Sequence, residues 1–203
     1  MTNQPKILAF AGSLRKDSYN KKLVKIAMKG AEESGAIVTY VDLKDYPLPI
    51  YDEDIEKGEG FPNNALKLKE LMWQHQGFLI ASPEYNSSMS GVFKNVIDWT
   101  SRQATPEEVN LSCFINKAVV LMSASPGQLG GIRGLVHVRA LFSNIYSLVL
   151  PQQKCIANAG QAFDQNGNLK DSKQQAEILD LGQQLTQFLI AHHNLYNKNA
   201  TNV

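Results

Sequence analysis

Five short runs of unbroken apolar character constrain this chain more than any other feature. They read KILAFAG (6–12), AIVTYVDL (36–43), GFLIASP (77–83), KAVVLMSAS (117–125) and IYSLVLP (145–151). A strand with one wet face alternates apolar and polar residues, and these do not. Both of their faces must be covered, as in a parallel sheet between two layers of helices. The intervening stretches supply those layers. Leu23, Ile26 or Ala27, and Gly30 or Ala31 recur at helical spacing, as do Ala65, Leu68, Leu71 and Met72, and Leu135, Val138, Phe142 and Ile145. A last helix carries Ile178, Leu181, Leu185, Phe188 and Leu189, opened by a capping-box pattern of Asp171 with Gln174.

Five strands alternating with five helices predict an α/β fold, a doubly wound five-stranded parallel sheet flanked by helices. With neither repeat nor long linker, residues 1–203 are expected to form a single domain. Tyr51 to Pro62 reads as an exposed, mobile polar loop, Asn166-Gly167 as a turn, and 196–203 as a fraying tail.

Composition narrows the function. A net charge of +1 gives no reason to expect nucleic acid as a partner. No apolar run reaches the roughly 20 residues that span a bilayer, so no membrane partner is expected either. The segment MTNQPK lacks the features of a signal peptide. Two cysteines, Cys113 and Cys155, have neither metal-ligand nor disulfide-framework spacing. Both are read as ordinary thiols in a reducing, cytoplasmic setting. The four histidines form no metal-binding pattern, and the His192–His193 pair is expected near the end of the last helix.

In a sheet of this kind ligands bind beyond the carboxyl ends of the strands. Three of those ends carry unusual loops. FAGSLRKDSYN places Ser13, Arg15, Ser18 and Asn20 where a strand gives way to a helix. Hydroxyls, an amide, a guanidinium and free helix N–H groups together suit a phosphate, although the pattern is neither GxGxxG nor a P-loop. SPEYNSSMSG sets Pro83, Glu84, Tyr85 and Asn86 at the crest, where a planar ligand has room to stack. SASPGQLGG, from Ser123 to Gly131, is glycine-rich and permits close backbone approach. Three such loops on one edge point to a flat, phosphorylated ligand.

These motifs, with VLPQ at Val149 to Gln152, resemble the NADPH-dependent FMN reductases of the flavodoxin-like class, a group that includes chromate, quinone and azo-dye reductases. The resemblance covers nearly the whole chain and implies the strand order 2-1-3-4-5. It implies that Ser13, Arg15, Ser18 and Asn20 bind the FMN phosphate and that Pro83, Glu84, Tyr85 and Asn86 border the isoalloxazine. Ser123 and Gly127 would then lie on the opposite side of the ring. Two positions depart from the family: Ser87 stands where glycine is common, and Ser90 where proline is common.

The implied reaction is hydride transfer from NADPH (or NADH) through FMN N5 to a small-molecule acceptor by a ping-pong scheme. The acceptor would be a quinone, a flavin, an azo or nitro compound, or a metal oxyanion. No side chain need be catalytic, because the flavin carries the chemistry; Glu84 reads as a loop-organising carboxylate. Two rival readings share the fold: a flavodoxin-type electron carrier, disfavoured by the near-neutral charge, and a flavin-binding regulatory module without significant turnover. Val92, Phe93, Val96, Ile97 and Trp99 make an apolar band too wide for one buried stripe, which with the resemblance suggests a homodimer or dimer of dimers. Arg102, just beyond that band, is a candidate for a nicotinamide cofactor's phosphates.

Overall fold

In the computed structural model, which describes the backbone of residues 4–200 and the side chains of residues 4–193, the apolar runs form one parallel sheet. Its strands are β1 (Lys6–Ala11), β2 (Ile37–Val41), β3 (Gly77–Ala81), β4 (Ala118–Ala124) and β5 (Leu148–Ile156), in the order β2-β1-β3-β4-β5. This is the order the resemblance implied. The helices are α1 (Tyr19–Glu33), α2 (Glu53–Gly58), α3 (Asn63–Gln74), α4 (Gly91–Thr100), α5 (Ile132–Asn144), α6 (Ala159–Ala162) and α7 (Ser172–Ala200). The short α2 and α6 were not foreseen.

Strand alternation divides the core in two. Ile7, Ala9 and Ala11 of β1 face α1 and α7, while Leu8 and Phe10 face α3, α4 and α5. The two faces are built differently. On the second, Phe10, Phe78, Phe93, Phe114 and Phe142 fill the layer with tilted and edge-on ring contacts. On the first, alanines such as Ala9, Ala27, Ala31, Ala81 and Ala124 leave little bulk, and α1 meets α7 almost backbone to backbone. A Cβ added at Gly30 would stand 2.0 Å from the Leu179 carbonyl oxygen, and one at Gly182 would stand 1.9 Å from that of Ala27.

Several expectations need correction. The fifth strand does not stop at Pro151 but runs on to Ile156, with a register shift against β4 between Val119 and Leu121. An edge strand tolerates a proline at such an irregularity because no ladder donor is lost there. The Tyr51–Pro62 stretch is not merely a loop. Asp52 caps α2 by accepting from the Asp54 N–H, and Tyr51 and Phe61 both pack edge-on against Trp99. The Trp99 indole N–H donates to the Pro49 carbonyl at 2.9 Å. Phe93, Val96, Ile97 and Trp99 are therefore all buried within this chain, so the width of the band gives no support to a dimer.

Arg102 stands 3.1 Å from Glu56 and over the Tyr51 ring, with its side chain half exposed. Asp171 caps α7 through the Lys173 and Gln174 N–H groups, but it is the Gln175 side chain that reaches back, accepting from the Leu169 N–H at 2.9 Å. His192 and His193 lie about two turns before Ala200, toward the end of α7, and the last residues of the tail expected to fray, 201–203, lie outside the described residues. Lys69, on the inner face of α3, is fully buried and pairs with Glu108 at 2.6 Å. That pair ties the irregular segment before β4 to the helix.

The α1–α7 contact makes a test in which two effects oppose each other. In an ordinary helix, alanine for glycine gains about 1 kcal/mol. At Gly182 the new methyl meets the main chain of α1, and overpacking of that kind costs about 1–3 kcal/mol. Gly182→Ala is expected to lower the urea midpoint with little change in slope, while Gly58→Ala, which meets nothing within 4 Å, leaves it unchanged or slightly raised.

Candidate functional site

β1, β3 and β4 are neighbours in the sheet and end at Ala11, Ala81 and Ala124, so their following loops stand side by side at its carboxyl edge. In the first loop, Ser13 and Ser18 are both buried. Ser18 occupies the N-cap position of α1 with an extended backbone, the geometry in which a serine normally bonds the first turn, yet its side chain makes no capping bond. The Ser13 hydroxyl accepts from the Arg15 N–H at 3.3 Å, which leaves its own hydrogen to donate. Arg15 is exposed, with its guanidinium carbon 5.6 Å from the Tyr19 ring centre. The first intrahelical N–H to find a partner is that of Lys22, bonded to the Ser18 carbonyl, so the N–H groups of the preceding turn point outward.

Asn20 departs from the reading given it. Its Nδ2 donates to the Ala124 carbonyl and its Oδ1 accepts from the Ala124 N–H, both at 2.9 Å. The carboxamide is thereby tied to the end of β4, with one N–H left over.

The second loop is a tight hairpin. Tyr85 and Ser88 exchange backbone hydrogen bonds of 2.8 and 3.0 Å around Asn86 (φ 51°) and Ser87 (φ 64°). Both central residues are left-handed, as a type I′ turn demands, which explains why glycine is common at the place of Ser87. Ser90 donates to the Gly12 carbonyl at 2.6 Å and accepts from the Phe93 N–H at 3.3 Å, so it caps α4 and ties the second loop to the first. A proline there has no hydroxyl with which to do either. Glu84 faces the other way: Oε1 accepts from Arg133 Nε (3.0 Å) and Nη2 (2.7 Å), and Oε2 accepts from the Gly134 N–H at 3.0 Å in the first turn of α5. Burial alone would raise this carboxyl, but the Gly134 N–H and the Arg133 guanidinium outweigh it and hold the group below the ordinary carboxylate range. Ser88 is in turn 2.9 Å from His137 Nδ1.

The third loop corrects one expectation outright. Ser123 is fully buried inside β4, and its hydroxyl has no partner. It lies beneath Gly131, where an added Cβ would be 2.0 Å from Ser123 Oγ. Gly131 has φ 94° and is the N-cap of α5, so only glycine suits both its conformation and its space. The residues that reach the surface are instead Ser125 and Pro126, one step past the strand's end.

A single cleft gathers Ser13, Arg15, Ser18 and Asn20 from the first loop, Pro83, Glu84 and Tyr85 from the second, and Ala124, Ser125 and Pro126 from the third, with Tyr19 between them. Asn86, Ser123 and Gly127 do not line it. Sequence reasoning missed Tyr19, Ala124, Ser125 and Pro126; knowing that β4 ends at Ala124 was the signal that would have identified the last three. The one carboxylate in the lining, Glu84, is already paired, so hydroxyl donors, a guanidinium and outward N–H groups face the space. Such a set holds an anion with several oxygens. The half-exposed Tyr85 ring and Pro126 beside it offer flat apolar walls. Both thiols are pushed up to about 11, by burial above all, and are inert at neutral pH.

The chain resembles known proteins along most of its length. Residues 5–161 match the family model described as NADPH-dependent FMN reductase. A probable NADPH:quinone oxidoreductase of Oryza sativa subsp. japonica is 35% identical over 181 residues, 87% of this chain and 84% of that one. An NAD(P)H-dependent FMN reductase of Pseudomonas aeruginosa is 35% identical over 175 residues, 85% and 89% of the two chains. Among solved structures, a flavoenzyme NAD(P)H:(acceptor) oxidoreductase from Paracoccus denitrificans superposes with a TM-score of 0.74 at 26% identity, covering 93% of this chain and 98% of that one.

The Glu84 cluster has a pH signature. Its folded carboxyl titrates below the unfolded value of about 4.3, so its contribution to stability is complete above that value and is lost as pH falls through the folded one. The wild-type advantage over Glu84→Gln in urea midpoint is expected to stay level from pH 7 to about 5 and to shrink below about pH 4. A gap independent of pH would show that the charge on Glu84 plays no part.

Proposed function

The chain belongs to the NADPH-dependent FMN reductase family, and we propose from that premise that the three-loop cleft holds FMN in an NAD(P)H-dependent oxidoreductase. The observation that carries the reading is Ser18: a buried N-cap hydroxyl that makes no capping bond, beside Ser13, Arg15 and the open first turn of α1. Together they supply donors for a dianionic phosphate with no unpaired carboxylate to oppose it.

The residues divide the work accordingly. Ser13, Ser18 and Arg15 hold the phosphate, while the Asn20 carboxamide is taken up by Ala124. Pro83, Glu84 and Tyr85 border the isoalloxazine, and Ser125 and Pro126 close its other side. When bound, FMN supplies the redox chemistry, taking hydride from a reduced nicotinamide and passing it to an oxidised acceptor. Tyr85, half exposed at the rim, acts as a wall and not as a proton donor. Donor and acceptor use the same open face in turn, which makes the kinetics ping-pong. The acceptor is a small molecule, with a quinone favoured by the names of the relatives.

Among the described residues, no helix is long and apolar enough to cross a membrane, and both cysteines are free thiols, which supports a cytoplasmic setting. A homodimer or dimer of dimers rests on family resemblance alone.

Two measurements test the reading. Anaerobic protein with added FMN should lose its oxidised flavin bands on NADPH or NADH and regain them with a quinone; flavin that binds but stays oxidised with both would favour a carrier or a binding module. Ser18→Ala should leave the stability of the flavin-free protein within about 0.5 kcal/mol, against the ~1 kcal/mol usual for a lost cap. It should weaken FMN by roughly tenfold, by loss of a charge-assisted bond, and leave riboflavin unaffected.

A further inference from the structure

We infer that Asn20 is a positioning residue: it joins the loop that receives the phosphate to the strand end that carries the ring-facing loop, and so sets the distance between them. The inference rests on the flavin reading of this cleft and deepens it. The backbone dictates the need for such a residue. Hydrogen bonding between β3 and β4 ends where the Ser82 N–H donates to the Met122 carbonyl at 2.9 Å. The chain then turns away at Pro83, and the Ala124 N–H that would make the next ladder bond goes to Asn20 instead. β4 runs two residues further, and on its other side β5 continues to pair with it, the Ser125 N–H donating to the Ile156 carbonyl at 3.1 Å.

On the side β3 has vacated, the N–H and C=O of Ala124 would be left without partners in a buried place, a costly arrangement. The Asn20 carboxamide presents one donor and one acceptor side by side, and both bonds measure 2.9 Å. It stands in for the missing strand. Its sequence separation from Ala124 is 104 residues, so the pair crosslinks two loops that have no other side-chain bond between them among the described residues. Ser125 and Pro126, which wall the cleft, follow directly on the clamped residue.

A direct phosphate ligand and a clamp between the loops behave differently toward flavins that differ only in the phosphate. If Asn20 clamps, Asn20→Ala displaces the wall of the ring, and FMN and riboflavin lose affinity by the same factor, roughly tenfold for a buried bonded pair. Titration of both flavins, read by fluorescence quenching, measures this. In the flavin-free protein the Ala124 amide should also exchange its hydrogen faster in the variant than in the wild type. The inference is overturned if FMN weakens while riboflavin does not, for Asn20 would then be a phosphate ligand, or if Ala124 exchange is unchanged. Should Asn20→Ala not fold, Asn20→Ser carries the same comparison, because its shorter neutral side chain cannot make both bonds to Ala124 and adds no charge beside the phosphate. An unchanged FMN-to-riboflavin affinity ratio supports the clamp and a ratio altered more than threefold overturns it. Wild-type protein that binds neither flavin overturns the functional reading and this inference together.

Discussion

The parallel strands of this sheet do not end level, and the site depends on how the resulting gaps are closed. Strand ends in a buried sheet leave N–H and C=O groups that must find partners. Here the partners come from the loops themselves. Ser90 bonds the Gly12 carbonyl and so joins the second loop to the first. Asn20 pairs with Ala124 and joins the first loop to the third. Glu84 bonds Arg133 and the Gly134 N–H and joins the second loop to α5, behind the third. The first loop is thus tied by a side chain to each of the other two, and the second to the helix that follows the third. A cleft constructed in this way loses little entropy on receiving a ligand, because its walls are already ordered.

The platform beneath is built for the same purpose. The aromatic layer under α3, α4 and α5 gives the crest a stiff base, and Phe93, three residues after the Ser90 cap, lies in that layer in contact with Phe10 and Phe142. On the opposite face, alanine and glycine let α1 sit close to α7 and to the sheet. The N-terminus of α1 is thereby held at one height above the strands. Since the groups proposed to bind phosphate stand at that N-terminus, a single helix connects the packing at Gly30 and Gly182 with the proposed anion site at Ser18.

Much of this was legible in the sequence, and for identifiable reasons. Unbroken apolar runs gave the five strands because burial on both faces leaves no alternation to misread. The helical stripes of α1 and α7 were recovered because Leu23, Ile26, Ile178 and Leu185 recur at helical spacing. What escaped was set by tertiary contacts. Trp99 read as a surplus apolar residue because its cover, the Tyr51–Phe61 segment, is polar in composition and distant in sequence. Pro151 read as a strand end because its tolerance depends on an edge position that only the topology reveals. Ser123 was taken for a ring contact because a motif does not say which of its residues is the last in the strand; the answer, Ala124, moves the exposed wall to Ser125. Asn20 was read as a phosphate donor because its type and place suit that role, and only the partner 104 residues away shows its other use.

A cleft whose walls are tied by side chains should be the same before and after its ligand arrives, and a comparison of crystal structures with and without FMN tests this most directly. The account predicts that the Cα atoms of residues 12–20, 82–90 and 123–131 shift by less than about 1 Å between the two, as in preorganised complexes. Loops that move by more than about 2 Å, or that order only around the flavin, would contradict it.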